Sequence, residues 1–280
     1  MARRQAATGA AKTEKGEHQN VARAAMVIDA LAAAQAQGLR LTDVVARTGL
    51  GTATVHRLLA GLVAHGFVDA DRRNNRYFVG LRLLSWAAAA TERYGLAPYV
   101  DPGLEALRAE TEDTVYFSLI SGLDAVCVDR REGSYPIRTL TLNAGDLRPL
   151  GVGAGSLALL AFQPDEVIET VLVEDEARRL AFGIDTAALR AALPEVRRQG
   201  YALNEGGLIA GMSGVAVPIR KPDGDAVAAI SVAAVTSRLS GDRLAAVVAS
   251  LQREAAAVEQ AAGPMLGTPF AKRHGRRTAG

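Results

Sequence analysis

Residues 39–65 carry two short apolar stripes that are separated by a glycine turn. Each stripe follows the 3.6-residue period of an α-helix, which predicts two helices with one buried face each. Thr42 is predicted to cap the first helix, and Gly49 is predicted to end it. The pattern predicts a helix-turn-helix, with an ordinary packed helix pair in a bundle as the alternative. The apolar positions are Leu41, Val44, Val45 and Ala46 in the first stripe and Val55, Leu58, Leu59 and Leu62 in the second.

Further elements on both sides extend this helix pair into a compact unit. Upstream, Asn20 can cap a third helix whose apolar residues continue to Ala32 at the helical period. Downstream, residues 66–69 and 77–80 form two β-type runs around a polar, basic segment, which predicts a hairpin. A hairpin that directly follows the second helix is the wing of a winged helix-turn-helix.

The free side of the second helix suits the major groove of DNA. Its start is thin because it consists of glycine, threonine and alanine, and an arginine follows. Small polar side chains and arginine can reach base edges, and arginines in a wing lie near phosphates or the minor groove. As isolated residues, the same arginines would simply be solvated. The predicted DNA-binding residues are Thr42, Thr52, Ala53, Thr54, His56 and Arg57 in the helices and Arg72, Arg73 and Arg76 in the wing.

The rest of the chain alternates between the helical and the strand period. A linking helix is predicted over residues 81–94, and Gly95, Pro98 and Pro102 are predicted to break it. This helix either pairs with its copy in a second chain or packs as a spacer on its own domain. Hairpin-linked strands among the later helices predict an antiparallel α+β body. Body helices are predicted near 101–112, 156–162, 164–174, 185–199 and 240–262, and strands near 114–120, 125–129, 137–142, 214–219 and 226–234.

Length and charge divide the chain further. With 280 residues, two domains are expected. The net charge of +2 conceals a basic first third, at +6 over residues 1–100, and an acidic body, at −8 over residues 101–267. A basic end on an acidic body is expected when one region approaches a polyanion. The predicted layout is a disordered segment over 1–19, a DNA-binding unit over 20–80, a linker over 81–97, the body over 98–264 and a basic tail over 265–280.

Composition weighs against several other classes of protein. No run approaches 18 apolar residues and the first 20 residues lack an apolar core, so we expect no membrane span, no signal peptide and a cytoplasmic protein. Cys127 is the single cysteine, which excludes an internal disulfide and a cysteine-based zinc site. None of the four histidines lies in the body, so no histidine-based catalytic or metal site is expected there. We therefore predict a non-enzymatic protein without cofactor or metal.

Several of these segments together resemble the IclR family of bacterial transcriptional regulators. The resemblance runs from about residue 20 to residue 262. It implies a winged helix-turn-helix that binds operator DNA as a homodimer or homotetramer, and a GAF-like domain that binds a small organic effector. An architectural DNA-binding protein without a ligand is the alternative, although wedge residues and a long basic stripe are absent. The resemblance rests on Arg23-Ala24, Thr48-Gly49-Leu50, His56-Arg57-Leu58-Leu59, Gly66, Tyr77 to Gly80, Arg148-Pro149-Leu150, Gly200-Tyr201 and Val215-Ala216-Val217-Pro218.

The resemblance also implies where the effector binds. A glycine-rich loop over residues 151–156 and several late-strand positions would form the pocket, with backbone N–H groups meeting a carboxylate. The loop lacks the spacing of a dinucleotide or P-loop motif, so a tight turn is its alternative role. Where a Cys or Ser is frequent in the family this chain has Gly214, which favours an aromatic or longer-chain acid. Ser231 could instead be a backbone-bonded core hydroxyl, and Asn204 could cap a turn. The implied effector-binding residues are Gly153, Ala154, Asn204, Met212, Gly214, Ser231 and Ala233.

Overall fold

The computed structural model describes residues 19–94 and 96–266. The chain divides into two compact units, Met1–Tyr94 and Gly95–Gly280. Nearly all of the segment predicted to be disordered, and the tail from residue 267 onward, lie outside the described residues.

The first unit contains the predicted three helices and hairpin, followed by the linking helix. Val27, Leu31, Val44, Leu59 and Val68 form the centre of its core, which joins the three helices to the hairpin. The apolar stripes of the sequence are therefore the buried faces of these helices. In chain order the elements are α1 (residues 19–32), a 3₁₀ turn (Gln35–Gln37), α2 (Leu41–Thr48), α3 (Thr52–Ala64), β1 (Val68–Asp71), β2 (Arg76–Val79) and α4 (Arg82–Tyr94).

The first helix of the helix-turn-helix starts two residues earlier than the sequence predicted. Arg40, with an extended backbone, occupies the N-cap position of α2, and its N–H donates to the Asp43 carboxylate at 3.0 Å. Thr42 is the second helical residue, so its assignment as the N-cap is wrong. Asp43 supplies the capping side chain instead, because a carboxylate at the third helical position can reach back to the N-cap N–H. Gly49 ends α2 in the left-handed region (φ 67°), as predicted.

The second unit is one six-stranded antiparallel sheet with helices on both faces. The strand order is β5-β4-β3-β8-β7-β6. The α+β fold class predicted from the sequence is thus confirmed. The elements are α5 (Ala97–Thr111), β3 (Thr114–Ser121), β4 (Asp124–Arg131), β5 (Leu147–Pro149), α6 (Ala154–Ala161), α7 (Asp165–Glu174), α8 (Glu176–Leu180), α9 (Thr186–Gln199), β6 (Ala202–Glu205), β7 (Met212–Arg220), β8 (Ala226–Val235) and α10 (Gly241–Leu266).

Alternation along the central strands sends side chains to two different cores. Val115 and Phe117 of β3 pack with Leu107 of α5 and Leu251 of α10. The intervening β3 residues, Tyr116 and Ser118, belong to the opposite face, where α6 lies. The small residues of β7 and β8 on that face leave room for a cavity.

Two predicted features of the body are wrong. Residues 137–142 alternate like a strand but pair with no strand; the real edge strand is Leu147–Pro149, which pairs with β4. Pro98 and Pro102 lie within α5 and do not interrupt the chain between helices. Pro98 is tolerated because the first helical turn has no N–H partners, and Pro102 removes only a single bond to an earlier carbonyl. The short elements β6 and α8 were not predicted.

No helix within the described ranges has both the length and the apolarity needed to cross a membrane. The same residues contain no group of three or more His, Cys, Asp or Glu side chains that could hold a metal ion.

Candidate functional sites

The start of α3 presents the thin, polar end that the sequence predicted. Thr52, Ala53, His56 and Arg57 are exposed, and Thr54 is partly buried. On the other side of the helix, three apolar residues anchor α3 in the core: Val55, Leu59 and Leu62. The side chains of His56 and Arg57 have no hydrogen-bond or ion-pair partner among the described residues. The helix is therefore fixed on one side and free on the other, which is the requirement for a reading helix.

The wing has a four-residue loop that is organised by its own side chains. The Asp71 carboxylate accepts from the Arg73 N–H and from the Asn74 amide, both at 2.8 Å. Asn75 adopts a positive φ of 50°, which asparagine tolerates better than most residues. Arg72 and Arg73 are exposed at the tip.

Arg76 has a structural role that the sequence did not suggest. Its Nη1 donates to the carbonyls of Gln37 and Gly38, each at 2.9 Å. This guanidinium therefore ties the wing to the segment that precedes α2.

A cavity of about 80 Å³ opens on the α6 face of the second unit. All seven residues that the family resemblance assigned to effector binding line it, although they come from three separate parts of the chain. The lining also contains side chains that sequence reasoning missed: Tyr116, Ser118, Thr139, Thr141, Arg148 and Leu208.

Arg148 is the single charged side chain among the described residues that line the cavity. It is half-buried, and burial lowers the pKa of its guanidinium, with Asp146 contributing an attraction in the opposite direction. Its Nη2 donates to the Thr141 carbonyl at 3.0 Å, and the group lies 5.6 Å from the Phe182 ring centroid. No carboxylate among the described residues forms an ion pair with it. The cavity therefore contains a positive charge that forms no salt bridge within the described part of the chain, although Asp146 lies near enough to attract it.

Two serine hydroxyls face the same cavity without hydrogen-bond partners among the described residues. Ser118 and Ser231 are 5% and 9% exposed as whole residues, and both border the cavity. A Cβ built on Gly155 would lie 3.7 Å from the Ser231 hydroxyl and 3.9 Å from that of Ser118. The serine pair thus lies at the N-terminal turn of α6.

The glycine-rich loop packs against the core at one residue and borders the cavity at others. Gly151 (φ 92°) packs so closely that a Cβ would lie 2.5 Å from a methyl group of Leu189. Gly153 (φ 86°), the N-cap of α6, borders the cavity, and its Cβ would lie 3.8 Å from Nη1 of Arg148. The side chain of Ser156 donates to the Val152 carbonyl. The tight-turn interpretation therefore holds for Gly151, while Gly153 and Gly155 face the cavity.

Asn204 has the turn-capping role that the sequence offered as an alternative. Its side-chain oxygen accepts from the Gly207 N–H at 3.1 Å. The residue still lines the cavity, so its amide nitrogen remains available as a donor.

Residues 139–142, the covering segment, close one side of the cavity. The Tyr116 hydroxyl donates to the Thr139 carbonyl and accepts from the Thr141 N–H at 3.2 Å. The Thr139 hydroxyl donates to the sulfur of Met212 at 3.3 Å. Side-chain bonds replace the strand ladder that was predicted for this segment.

Among the described residues that line the cavity, hydroxyl groups are present but stronger bases and nucleophiles are not. No histidine, cysteine, lysine or carboxylate lies among the described residues that line it. Cys127 lies nearby on β4, but burial and the neighbouring Asp146 and Asp129 carboxylates raise the pKa of its thiol to about 11. A thiol with that pKa is protonated and unreactive at neutral pH.

Family models match both units of the chain. The IclR helix-turn-helix domain matches residues 20–72, and the C-terminal domain of the bacterial transcriptional regulator IclR matches residues 88–260. The chain belongs to the IclR family. As an IclR-family protein, it combines a DNA-binding helix-turn-helix unit with an effector-binding unit in a transcriptional regulator.

Similar proteins cover most of this IclR-family chain. The probable regulator SauR of Cupriavidus necator is 31% identical over 84% of the chain and 94% of its own length. BhcR of Paracoccus denitrificans is 30% identical over 86% of both chains. Among solved structures, an IclR regulator from Alicyclobacillus acidocaldarius has a TM-score of 0.71 at 24% identity, covering 86% of this chain and 98% of its own. An IclR homolog from Microbacterium hydrocarbonoxydans, complexed with 4-hydroxybenzoate, has a TM-score of 0.69 at 22% identity, covering 86% of this chain and 98% of its own.

Proposed function

We propose that this regulator binds operator DNA as a homodimer or homotetramer in the bacterial cytoplasm, and that a small organic acid in the cavity changes its DNA affinity. The half-buried guanidinium of Arg148, which forms no salt bridge among the described residues, carries the proposal. A charge removed from water is costly unless it is paired. A ligand carboxylate would supply the missing partner and could form two parallel hydrogen bonds with the guanidinium.

The serine pair extends this argument to the ligand's second polar group. Ser118 and Ser231 can each donate one hydrogen bond to an oxygen near the start of α6. The N–H groups of that first helical turn favour the same kind of acceptor. We therefore propose an acid with a further oxygen, so that both polar sites of the cavity are satisfied.

For the size of the acid, we propose an aromatic or longer-chain compound. Gly214 contributes no side chain, and Ala154 faces it across a gap in which a Cβ on Gly214 would lie 3.5 Å from the Ala154 methyl. The cavity of about 80 Å³ is smaller than the roughly 150 Å³ that accommodates benzene in an engineered cavity. A ligand of this size therefore binds with outward movement of the covering segment, which is held by side-chain bonds.

On the DNA side, we propose that α3 reads bases and the wing holds the backbone. Thr52, Ala53, Thr54, His56 and Arg57 would face the major groove, with Thr42 of α2 at the backbone. Arg72 and Arg73 would contact phosphates from the wing tip. Support comes from the exposure of all these residues except Thr54, which is partly buried, and from the absence of competing side-chain partners for the arginines within the described part of the chain.

Exposed apolar residues at the start of the linking helix favour self-association of the protein. Leu81, Leu84 and Trp86 are 74%, 67% and 53% exposed, which is unusual for three large apolar residues so close together. Trp86 is held in place by Phe67, whose ring centroid lies 4.7 Å away. We propose that α4 pairs with its copy in a second chain.

A thermal-shift panel tests the ligand class. The panel contains straight-chain acids of two to eight carbons, 4-hydroxybenzoate, and the neutral amide of each compound. We expect acids to stabilise the protein and amides to have no effect, because the amide cannot pair with Arg148. In Arg148→Gln the apparent Kd of the best acid should rise about tenfold or more, in line with the roughly 1.5–3 kcal/mol of a charged hydrogen bond. Equal stabilisation by acid and amide would contradict the proposal.

Arg190→Gln is the matched control for this experiment. It removes the same charge from an exposed ion pair with Glu169, outside the cavity, and should bind the acid as the unmodified protein does. The regulatory half is then tested by adding the best acid to the protein on a duplex that it has selected from a randomised pool. Unchanged DNA affinity at saturating acid would show that the cavity binds a ligand without controlling DNA binding.

A further inference from the structure

We infer that Arg40 and Arg73 together form a clamp for one phosphate group of the DNA backbone, separate from the reading helix. The inference extends the DNA-binding function of the family to a residue that sequence reasoning missed. Arg40 lies just before α2, at a position that the apolar pattern does not mark.

Backbone pairing brings Arg40 to the wing. Leu39 and Tyr77 form an antiparallel bridge in which each N–H donates to the other's carbonyl, at 3.0 and 2.8 Å. The segment before α2 therefore runs beside β2 like a short third strand. Continuing this pairing by one residue places Arg40 opposite Arg76, whose guanidinium fastens the same segment from the other strand. The wing and the start of α2 thus form one fixed frame.

The frame encloses a polar surface depression. Its lining contains no acidic residue and consists of Arg40, Arg73, Asn74, Asn75 and Arg76. Three guanidinium groups and two amides provide many N–H donors around one concave site. A tetrahedral anion with several acceptor oxygens fits such a set of donors better than a neutral ligand does.

The charges of the depression are not neutralised from within. The two nearby acids do not line the depression and bond neutral groups: Asp43 accepts from the backbone N–H of Arg40, and Asp71 accepts from Arg73 N–H and the Asn74 amide. Neither acid forms an ion pair with an arginine side chain among the described residues. Like charges placed opposite each other across paired strands repel. An external anion removes that repulsion, and in this DNA-binding unit the anion at hand is a backbone phosphate.

The three arginines have two different roles, one structural and one in binding the phosphate. The Arg76 guanidinium donates two hydrogen bonds to the segment before α2 and so holds the site in position. The side chains of Arg40 and Arg73 are exposed and have no partners within the described ranges. The phosphate would therefore be contacted from two sides, by Arg40 at the start of α2 and by Arg73 in the wing. Because both contact the same phosphate, they count as one contact in the salt dependence of binding.

The salt dependence of DNA binding tests the clamp in the full-length protein. Binding is measured on a duplex selected from a randomised pool by the unmodified protein, and on an unselected duplex of equal length. For the double variant Arg40→Gln/Arg73→Gln, we expect the slope of log K against log[salt] to flatten by about 0.9 per protomer, the value for one phosphate. At 0.1 M salt this corresponds to about eightfold weaker binding for each bound protomer, on both duplexes. The single variant Arg40→Gln should weaken both duplexes by the same, smaller factor.

Arg47→Gln is the matched control, since it removes one charge from the opposite end of α2. It should leave the slope unchanged. The clamp is overturned if Arg40→Gln has no effect, if it weakens only the selected duplex, or if Arg47→Gln has an equal effect. A slope change of about 1.8 per protomer in the double variant would show two separate phosphates and would also overturn it. Arg40→Lys, which retains the charge, should recover most of the slope, and equal melting temperatures exclude misfolding.

Discussion

The DNA-binding surface and the effector cavity are constructed in opposite ways. The surface lies on exposed residues within one stretch of about 40 positions, and its arginines point away from the core. The cavity is enclosed by residues from β3, the covering segment, α6 and the late strands, which are more than 100 positions apart in sequence. The comparison shows that a DNA-binding surface can be formed by local structure with exposed, unpaired charged side chains. A ligand cavity instead requires pairing between distant strands, which shields polar groups from water.

The largest expected effect tests whether the two regions are independent. Leu59 is 1% exposed in the core of the first unit. Leu59→Ala should lower the free energy of unfolding of that unit by about 2–5 kcal/mol, since it leaves a cavity. Calorimetry should show a shifted transition for the DNA-binding unit and an unchanged one for the effector unit. A matched shift of both transitions would mean that the units unfold together.

Within the DNA-binding surface, Arg57 distinguishes reading from general attraction. Arg57→Ala should reduce the preference for the selected duplex over a random one by roughly 1–3 kcal/mol, because a side chain that reads a base edge contributes that much discrimination. Competition binding with both duplexes measures this preference. Arg72→Ala should instead weaken both duplexes equally. An equal loss on both duplexes for Arg57→Ala would show that Arg57 only contacts the backbone.

A smaller effect is expected from the serine pair in the cavity. Ser118→Ala and Ser231→Ala should each weaken the best oxygen-bearing acid by about 0.5–1.5 kcal/mol, the usual contribution of a neutral hydrogen bond. The matching acid without the second oxygen should lose nothing, and DNA binding without ligand should stay the same. Calorimetric titration of both acids provides the comparison. If both acids lose affinity equally, the serines shape the cavity without bonding the ligand.

The DNA-binding unit could be predicted from the sequence more completely than the cavity, because its contacts are local. Apolar spacing and the glycine turn were sufficient for α2, α3 and the wing, because those contacts are nearly all local. Seven cavity residues were identified through family resemblance, but Tyr116 and Ser118 were not. Their position beside Ser231 depends on the pairing of β3 with β8, in which Tyr116 lies opposite Ser231. A single sequence contains no direct signal for that register.

The covering segment shows a second limit of pattern reasoning. Residues 137–142 have the alternation of a strand, yet hydrogen bonds from Tyr116, Arg148 and Arg130 hold their carbonyls and N–H groups instead of a neighbouring strand. Alternation indicates an extended backbone, which is present here, but it does not specify the hydrogen-bond partner. Arg148 belongs to a segment that resembles the family. Its position in the cavity lining became visible only with the covering segment beside it.

A further expected effect also separates the two regions, through the alkaline stability of the effector unit. Burial raises the pKa of Cys127 to about 11 in the folded protein, from an ordinary value of 9.0. The unfolded chain therefore loses this proton at lower pH than the folded protein does, so the free energy of unfolding should fall as pH rises from about 9 towards 11. In Cys127→Ala that part of the slope should disappear for the effector unit, while the DNA-binding unit, which has no cysteine, keeps its profile. Denaturant unfolding at pH 8, 9.5 and 10.5 measures this difference, and parallel profiles for the two proteins would show that the thiol is not shielded in solution.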